Sequence, residues 1–272
     1  MEITISKDEF ESIVLVATSS HSEVFDMISP HFEESVDYCE AAIVGETAAS
    51  KLSENNLEKY VKKYVSLHAF LSVFRSLDLT LTATGFGVVN NDNISPASKQ
   101  RVDELESSLK TSLYLAQGKL VDALTKVSGW SDTPQASMQI RYPFYKFQQL
   151  IEFGTFPSPT ASDWANAQSR ILDADRFLRT HIGNELMDEL LKEIRTHSFS
   201  AAFSKVHFHV QNIINLNITD SSSTKKMEYD TLMNILESDL TTYKLYADSD
   251  AYQLNHFVNY ENIKESGCFF WG

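Results

Sequence analysis

The stretch "FDMISPHFEESVDYCEAAIVG" (residues 25–45) decides the predicted fold, because a second stretch of the chain repeats its pattern. At a spacing of 139 residues, "WANAQSRILDADRFLRTHIG" (residues 164–183) carries large apolar residues at the matching positions. The matched pairs are Phe25 and Trp164, Phe32 and Ile171, Cys39 and Leu178, and Ile43 and Ile182. Steps of 7, 7 and 4 residues place each set on one face of a helix, and each stretch ends at a glycine that suits a helix end.

The repeat continues beyond these glycines, which indicates an internal duplication rather than one chance helix. The later pairs are Leu67 and Val206, His68 and His207, Leu71 and Val210, and Phe74 and Ile213. The tetrapeptides "LDLT" (77–80) and "LNIT" (216–219) keep the same spacing. Farther on, "SKQRVDELESSL" (98–109) matches "KKMEYDTLMNIL" (225–236) at a spacing of 127. The difference of 12 residues locates an insertion in the first half, within "TATGFGVVNNDNIS" (82–95).

These patterns predict a mainly α-helical protein of two related antiparallel helical units, with a β-hairpin or extended arm inserted in the first. The predicted divisions are an N-terminal unit at 1–153 with the arm at about 78–94, a Pro- and Ser-rich linker at 154–162, a second unit at 163–247 and a C-terminal tail at 248–272. The predicted helices are 7–13, 23–43, 47–52, 57–77, 96–127, 163–182, 186–195, 199–216 and 225–246. Ser22 and the pair Ser95–Pro96 are the predicted helix starts for 23–43 and 96–127.

The composition of the 272-residue chain fits a globular protein, because 43% of its residues are hydrophobic. Its net charge of −14 disfavours nonspecific binding to nucleic acid, although an acidic wall lets DNA slide past without sticking. The N-terminus has no apolar core and no stretch reaches the roughly 18 apolar residues of a membrane span, so we expect neither a signal peptide nor a membrane helix. Cys39 and Cys268 are expected to be reduced thiols of an intracellular protein.

The segment "TGFGVVNND" (84–92) begins like a nucleotide-binding loop but lacks what such a loop needs. A phosphate loop requires Lys and Ser or Thr after its glycines, and a dinucleotide fingerprint requires a third glycine before a helix. Here Val88 and Val89 occupy the place of the helix start. Alternating Leu, Thr and β-branched residues followed by "NND" instead predict a hairpin or an extended arm.

The remaining polar motifs give no catalytic or metal site. His207 and His209 are two positions apart on a predicted helix, so their side chains diverge. The carboxylates of 173–176 and of 33–35 are interpreted as solvated helix faces. We therefore expect no catalytic residues, no metal ligands and no cofactor, and the chain is predicted not to be an enzyme.

The C-terminal "CFFWG" contains three large aromatic residues, Phe269, Phe270 and Trp271. Each can bury about 150–250 Å², so leaving all three in water would favour aggregation. They are expected to dock either on their own domain or on a neighbouring molecule, and the sequence leaves both possibilities open.

Two resemblances suggest a function. "ITISKDEFESIVLV" (3–16) with "SEVFDMISPHFEESVDYCEAAIVGE" (22–46) resembles the opening of the head–tail connector (adaptor) proteins of tailed phages, which have a short "IT" segment, a small helix, an acidic turn and a long helix ending near glycine. The run "LDLTLTATGFGVVNNDNISPASKQRVDEL" (77–105), with "GW" and "TPQA" within 129–136 and the aromatic C-terminus, resembles a family of uncharacterised virion proteins from phages and prophages of gut bacteria.

The resemblance implies a virion structural protein at the head–tail junction, made in the host cytoplasm. Its subunits would form a homo-oligomeric ring that contacts portal and tail proteins while DNA passes through without specific binding. Phe86, Val88 and Val89 of the arm would anchor a neighbour, and the C-terminal aromatic residues would dock on an adjacent subunit or on the portal. The alternatives are a helical scaffold or interaction protein without catalytic activity, and an enzyme whose carboxylates or histidines converge in a cleft.

Overall fold

The computed structural model describes residues 1–15, 23–53, 56–77, 79–82, 85–88 and 98–257. The described chain is mainly α-helical, which confirms the mainly α part of the predicted fold. Its α-helices are α1 Lys7–Ile13, α2 Glu23–Ile28, α3 Phe32–Cys39, α4 Gly45–Ala49, α5 Leu57–Val73, α6 Lys99–Leu124, α7 Pro134–Gln139, α8 Gln148–Glu152, α9 Ala161–Ile182, α10 Asn184–Thr196, α11 Ala201–Ile218, α12 Ser222–Ser238, α13 Lys244–Ala247 and α14 Asp250–Asn255. Short 3₁₀ turns cover Ser29–His31, Phe74–Ser76 and Trp130–Asp132, and a π-helical turn covers Glu40–Val44.

Two short strands lie between α5 and α6, β1 Leu79–Thr82 and β2 Gly85–Val88. They pair antiparallel, with Leu79 opposite Val88 and Leu81 opposite Phe86. Within the described residues each strand pairs only with the other, so the sheet has two strands.

The predicted continuous helix at 23–43 is wrong, because two local features interrupt it. Pro30 has no N–H to donate and lies in the 3₁₀ turn between α2 and α3. After Cys39 the backbone hydrogen bonds span one residue more than in an α-helix. This π turn ends at Gly45, whose N–H donates to the carbonyl of Glu40. The helix predicted at 47–52 begins instead at Gly45 and ends at Ala49.

Other helix boundaries also differ from the prediction, and two of them have a local cause. The helix predicted from Pro96 begins at Lys99, where the side chain of Ser98 accepts a hydrogen bond from the backbone N–H of Arg101. Ser95 and Pro96 lie outside the described residues, as does Ser22. The helix predicted to reach Tyr246 ends at Ser238, because the Asp239 carboxylate turns back to accept hydrogen bonds from Thr241 and Thr242.

The core consists of two apolar clusters. The first lies among α1, α3, α5 and α6 and includes Phe10, Cys39, Leu120 and Trp130. The second lies among α9, α11 and α12, and its largest members include Phe144, Phe147 and Tyr246. Each cluster removes apolar surface from water, which is the main favourable term in folding. Cys39 and Leu178, one of the matched pairs of the sequence repeat, are both buried.

The two clusters adjoin each other through α10. Leu191 and Ile194 of α10 pack into the first cluster, while its Leu186 packs into the second. Arg195 donates hydrogen bonds from Nε and Nη2 to the carbonyl oxygen of Ile140, at 3.2 and 2.7 Å. Within the predicted linker at 154–162, Thr155 is buried and donates a hydrogen bond to Asn215 of α11.

Candidate functional site

The predicted interface residues fall only in part on the described chain. Phe86 and Val88 belong to β2, where they lie opposite Leu81 and Leu79 of β1. Val89 and the aromatic residues Phe269, Phe270 and Trp271 lie outside the described residues, and so does Cys268. Gly85 and Gly87 of "TGFG" both lie in β2.

The two histidines of "HFH" diverge on α11, as predicted. His207 stacks on Phe199 with ring centroids 5.3 Å apart, whereas the Nδ1 of His209 lies 2.6 Å from the Glu228 carboxylate. His207 is largely buried, and this burial lowers its pKa to about 4. Across the described ranges, no three His, Cys, Asp or Glu side chains come together in a way that could hold a metal ion.

The interpretation of the 173–176 carboxylates as a solvated face is wrong for Asp175. Its side chain is buried and accepts a hydrogen bond from Arg179 Nε at 2.9 Å, while Arg179 Nη1 reaches Asp188 of α10 at 2.8 Å. Burial raises the pKa of Asp175, and the charge of Arg179 acts in the opposite direction. The three side chains brace α9 against α10 across Gly183.

The bend at Gly45 is held by three side chains that approach the π turn from one direction. Such a turn changes the helical hydrogen-bond pattern and leaves carbonyl groups that need partners. The donors and acceptors are Gln135 Nε2 to Ala41 O at 3.0 Å, Gln139 Nε2 to Ala42 O at 3.0 Å, and Trp130 Nε1 to Ile43 O at 3.2 Å. We call this arrangement the elbow clamp.

The elbow clamp explains the "GW" and "TPQA" motifs, whose role the sequence did not reveal. Thr133 caps α7 by accepting a hydrogen bond from the backbone N–H of Ala136, and Pro134 occupies the first helical position. This start orients α7 so that Gln135 and Gln139, one helical turn apart, both face the π turn. The motif is therefore structural.

A column of three rings leads from the first cluster to the surface. Tyr64 is buried, His68 stacks on it with centroids 5.8 Å apart, and Tyr38 stacks on His68 at 4.9 Å with the ring planes 9° apart. The buried hydroxyl of Ser35 lies 3.0 Å from His68 Nδ1. The carboxylates of 33–35, Glu33 and Glu34, are exposed as predicted, and the neighbouring Ser35 is buried.

The outer end of this column forms an exposed surface that we call the acidic aromatic face. Its members are Glu33, Glu34, Asp37, Tyr38 and Ala41, all exposed on α3 and the start of the π turn. Tyr38 is 50% exposed although one side of its ring is covered by His68. Burial lowers the pKa of His68, and the charge of Glu34 opposes that change.

One family model matches the chain. It is described as a family of unknown function (DUF6712), and it matches residues 27–139. No curated protein and no solved structure matches the chain.

The matched range contains α3, both strands and the elbow clamp, and it ends at the clamp residue Gln139. It does not include α9–α12. The acidic aromatic face also lies inside the matched range.

A small cavity of about 210 Å³ lies beside Tyr114, Phe147 and Trp164, between α6, α7 and α9. Its volume is below the roughly 300–1,000 Å³ that is usual for ligand pockets. Lys146 at its edge is paired with Asp122 at 2.7 Å. No helix in the described ranges is long and apolar enough to cross a bilayer.

Proposed function

We propose that the chain is a virion structural protein, a head–tail connector whose subunits form a ring between the portal and the tail of a tailed bacteriophage. The observation that carries the proposal is the pair of strands inserted between two long helices, α5 and α6, that pack on each other. A two-stranded sheet is marginally stable alone in water. Its outer edges carry backbone groups that a neighbouring chain can pair with.

In this proposal the arm at about 78–94 reaches the next subunit of the ring. Phe86, Val88 and Val89 act as its anchors, and Phe269, Phe270 and Trp271 dock on an adjacent subunit or on the portal. Contacts of this head-to-tail type close into a ring when the rotation between subunits permits. The net charge of −14 supports passage of DNA through the ring without specific binding.

The proposal includes an origin of the fold by duplication of one helical unit. The order α3, Gly45, α4, α5, α6 parallels the order α9, Gly183, α10, α11, α12. In the first set α3 packs against α5, and α5 packs against α6. In the second set α9 packs against α11, and α11 packs against α12. Both glycines have positive φ and extended ψ.

The second candidate is a helical scaffold or interaction protein without catalytic activity. The acidic aromatic face favours it, because a single copy of the chain already presents this surface. The two candidates differ in oligomeric state: the scaffold is a monomer or dimer in isolation, whereas the connector is a ring, alone or on its portal.

The test is the mass of the purified protein by light scattering, with negative-stain microscopy of any large species, alone and after co-expression with proteins encoded by adjacent genes. The double variant Phe86→Ser/Val88→Ser should abolish assembly and leave a folded monomer. Met227→Ser on α12, 70% exposed, is the control for loss of an exposed apolar side chain and should still assemble. Rings that survive the double variant would contradict the role of the arm, and a monomer under every condition would contradict the connector.

A further inference from the structure

The acidic aromatic face lies in a stretch of the sequence whose charge is strongly one-sided. Residues 1–50 contain eleven Asp and Glu side chains and a single Lys, without Arg, so this fifth of the chain carries −10 of the net −14. Within the described residues, Glu33, Glu34 and Asp37 take part in no ion pair of 4 Å or less, although Lys62 on the same half pairs with Glu9 and Glu58. The face therefore presents carboxylates that are free to pair with an incoming cation.

Tyr38 is held in place before any partner arrives. Its ring rests on His68, which is fixed in turn by Tyr64 and by the buried Ser35 hydroxyl. A side chain that is already ordered loses little conformational entropy on binding, which is why rigid tyrosines are frequent anchors of protein interfaces. The open side of the ring offers the negative face of its π system to solvent.

Helical spacing places one carboxylate beside that ring. Glu34 precedes Tyr38 by four residues on α3, so their side chains are neighbours on one side of the helix. Ala41, three residues after Tyr38, is small and exposed. The site thus combines a flat aromatic surface with carboxylates at its edge, and the residue three positions after Tyr38 is not bulky.

We propose that the acidic aromatic face binds an arginine side chain of a basic segment of another protein, with the guanidinium stacked on Tyr38 and paired with Glu34 or Asp37. A guanidinium is planar, stacks on aromatic rings and forms two parallel hydrogen bonds with a carboxylate. A lysine ammonium has the charge but lacks the plane. The negative field of residues 1–50 attracts the same partner over a longer range. This inference does not rest on the connector proposal, because it concerns α3 rather than the arm.

The probe is a fluorescein-labelled hexa-arginine peptide, compared with hexa-lysine of equal charge, and its Kd is measured by fluorescence anisotropy at low salt. We expect the full-length protein to bind hexa-arginine about three- to fivefold more tightly than hexa-lysine, the range of an exposed cation–π contact. Tyr38→Ala should remove this preference, and Tyr38→Phe should keep it. Glu34→Gln/Asp37→Asn should weaken both peptides about three- to tenfold, as two exposed ion pairs would.

The charge control is Asp173→Asn/Asp230→Asn, which removes two exposed carboxylates from α9 and α12. It should change either Kd less than twofold, and circular dichroism should show every variant folded. The proposal would be overturned by equal affinity for the two peptides or by an unchanged preference in Tyr38→Ala. It would also be overturned if the control variant lost as much affinity as Glu34→Gln/Asp37→Asn. A dimer that Tyr38→Ala dissociates would also overturn it, because a second copy would then occupy the face. Ring assembly is measured with the arm variants, so failure of the connector proposal can be distinguished from failure of the arginine-binding proposal.

Discussion

Gly45 and Gly183 adopt nearly the same rare backbone conformation, with φ and ψ of 73° and 162° at Gly45 and of 92° and 150° at Gly183. This region of backbone space is accessible almost only to glycine. Each glycine joins the C-terminal end of one helix to the start of the next. The chain therefore turns in a similar way at both bends.

Gly45→Ala and Gly183→Ala should each lower the free energy of unfolding by about 1–3 kcal/mol from the backbone conformation alone. A new Cβ would also lie 2.9 Å from Gln135 Oε1 at the first position and 2.9 Å from Ser249 Cβ at the second. Gly154→Ala is the matched control, since Gly154 has φ of 63° but nothing within 4 Å of the new Cβ. Urea denaturation measures the free energy of unfolding of all three variants. Equal losses at the three sites would contradict a particular need for glycine at the two bends.

The elbow clamp should contribute measurably to stability. Trp130→Phe keeps a buried ring but removes the N–H that donates to Ile43, which leaves a buried carbonyl without that partner. The expected loss is about 1–3 kcal/mol of unfolding free energy. Gln139→Ala should cost about 1 kcal/mol for its bond to Ala42. Gln253→Ala, an exposed position on α14, controls for loss of a glutamine and should stay within about 0.5 kcal/mol.

Helix content and the buried faces could be predicted from the sequence because both follow from local periodicity. The α1 bounds Lys7–Ile13 were predicted correctly, since Ser6 and Glu9 form a capping box that the short pattern already contains. Cys39 was correctly placed on an apolar stripe, and burial raises its pKa to about 12.

The features that were missed depend on contacts between distant residues. The π turn at Glu40–Val44 needs donors from Trp130 and Gln139, about 90 positions away, and no local pattern specifies it. Asp175 looked like one of several surface carboxylates, yet its burial depends on Arg179 and on Asp188 in the next helix. The column under Tyr38 likewise requires α3 and α5 to pack in one register.

His207 should make stability depend on pH. Its pKa falls from an ordinary value near 6.5 to about 4 because burial disfavours the charged ring. Between these values the unfolded chain binds more protons than the folded one, so the free energy of unfolding should fall as the pH drops from 6.5 to 4. His207→Phe preserves a ring against Phe199 and should flatten this slope. Urea midpoints measured at pH 4.5 and 7 test it, with His31→Asn as the histidine-count control; an unchanged slope would contradict the assignment.

Arg195 should couple the two halves of the protein. Its guanidinium donates two hydrogen bonds to the buried carbonyl of Ile140, the residue that ends α7. Arg195→Ala leaves that acceptor unpartnered and should lower the free energy of unfolding by about 1–3 kcal/mol. Arg195→Lys should lose less, because one ammonium can supply one of the two bonds. Arg176→Ala removes an exposed arginine from α9 and should change stability by less than about 0.5 kcal/mol. If all three variants unfold at the same urea concentration as the wild type, the bond to Ile140 does not join the halves.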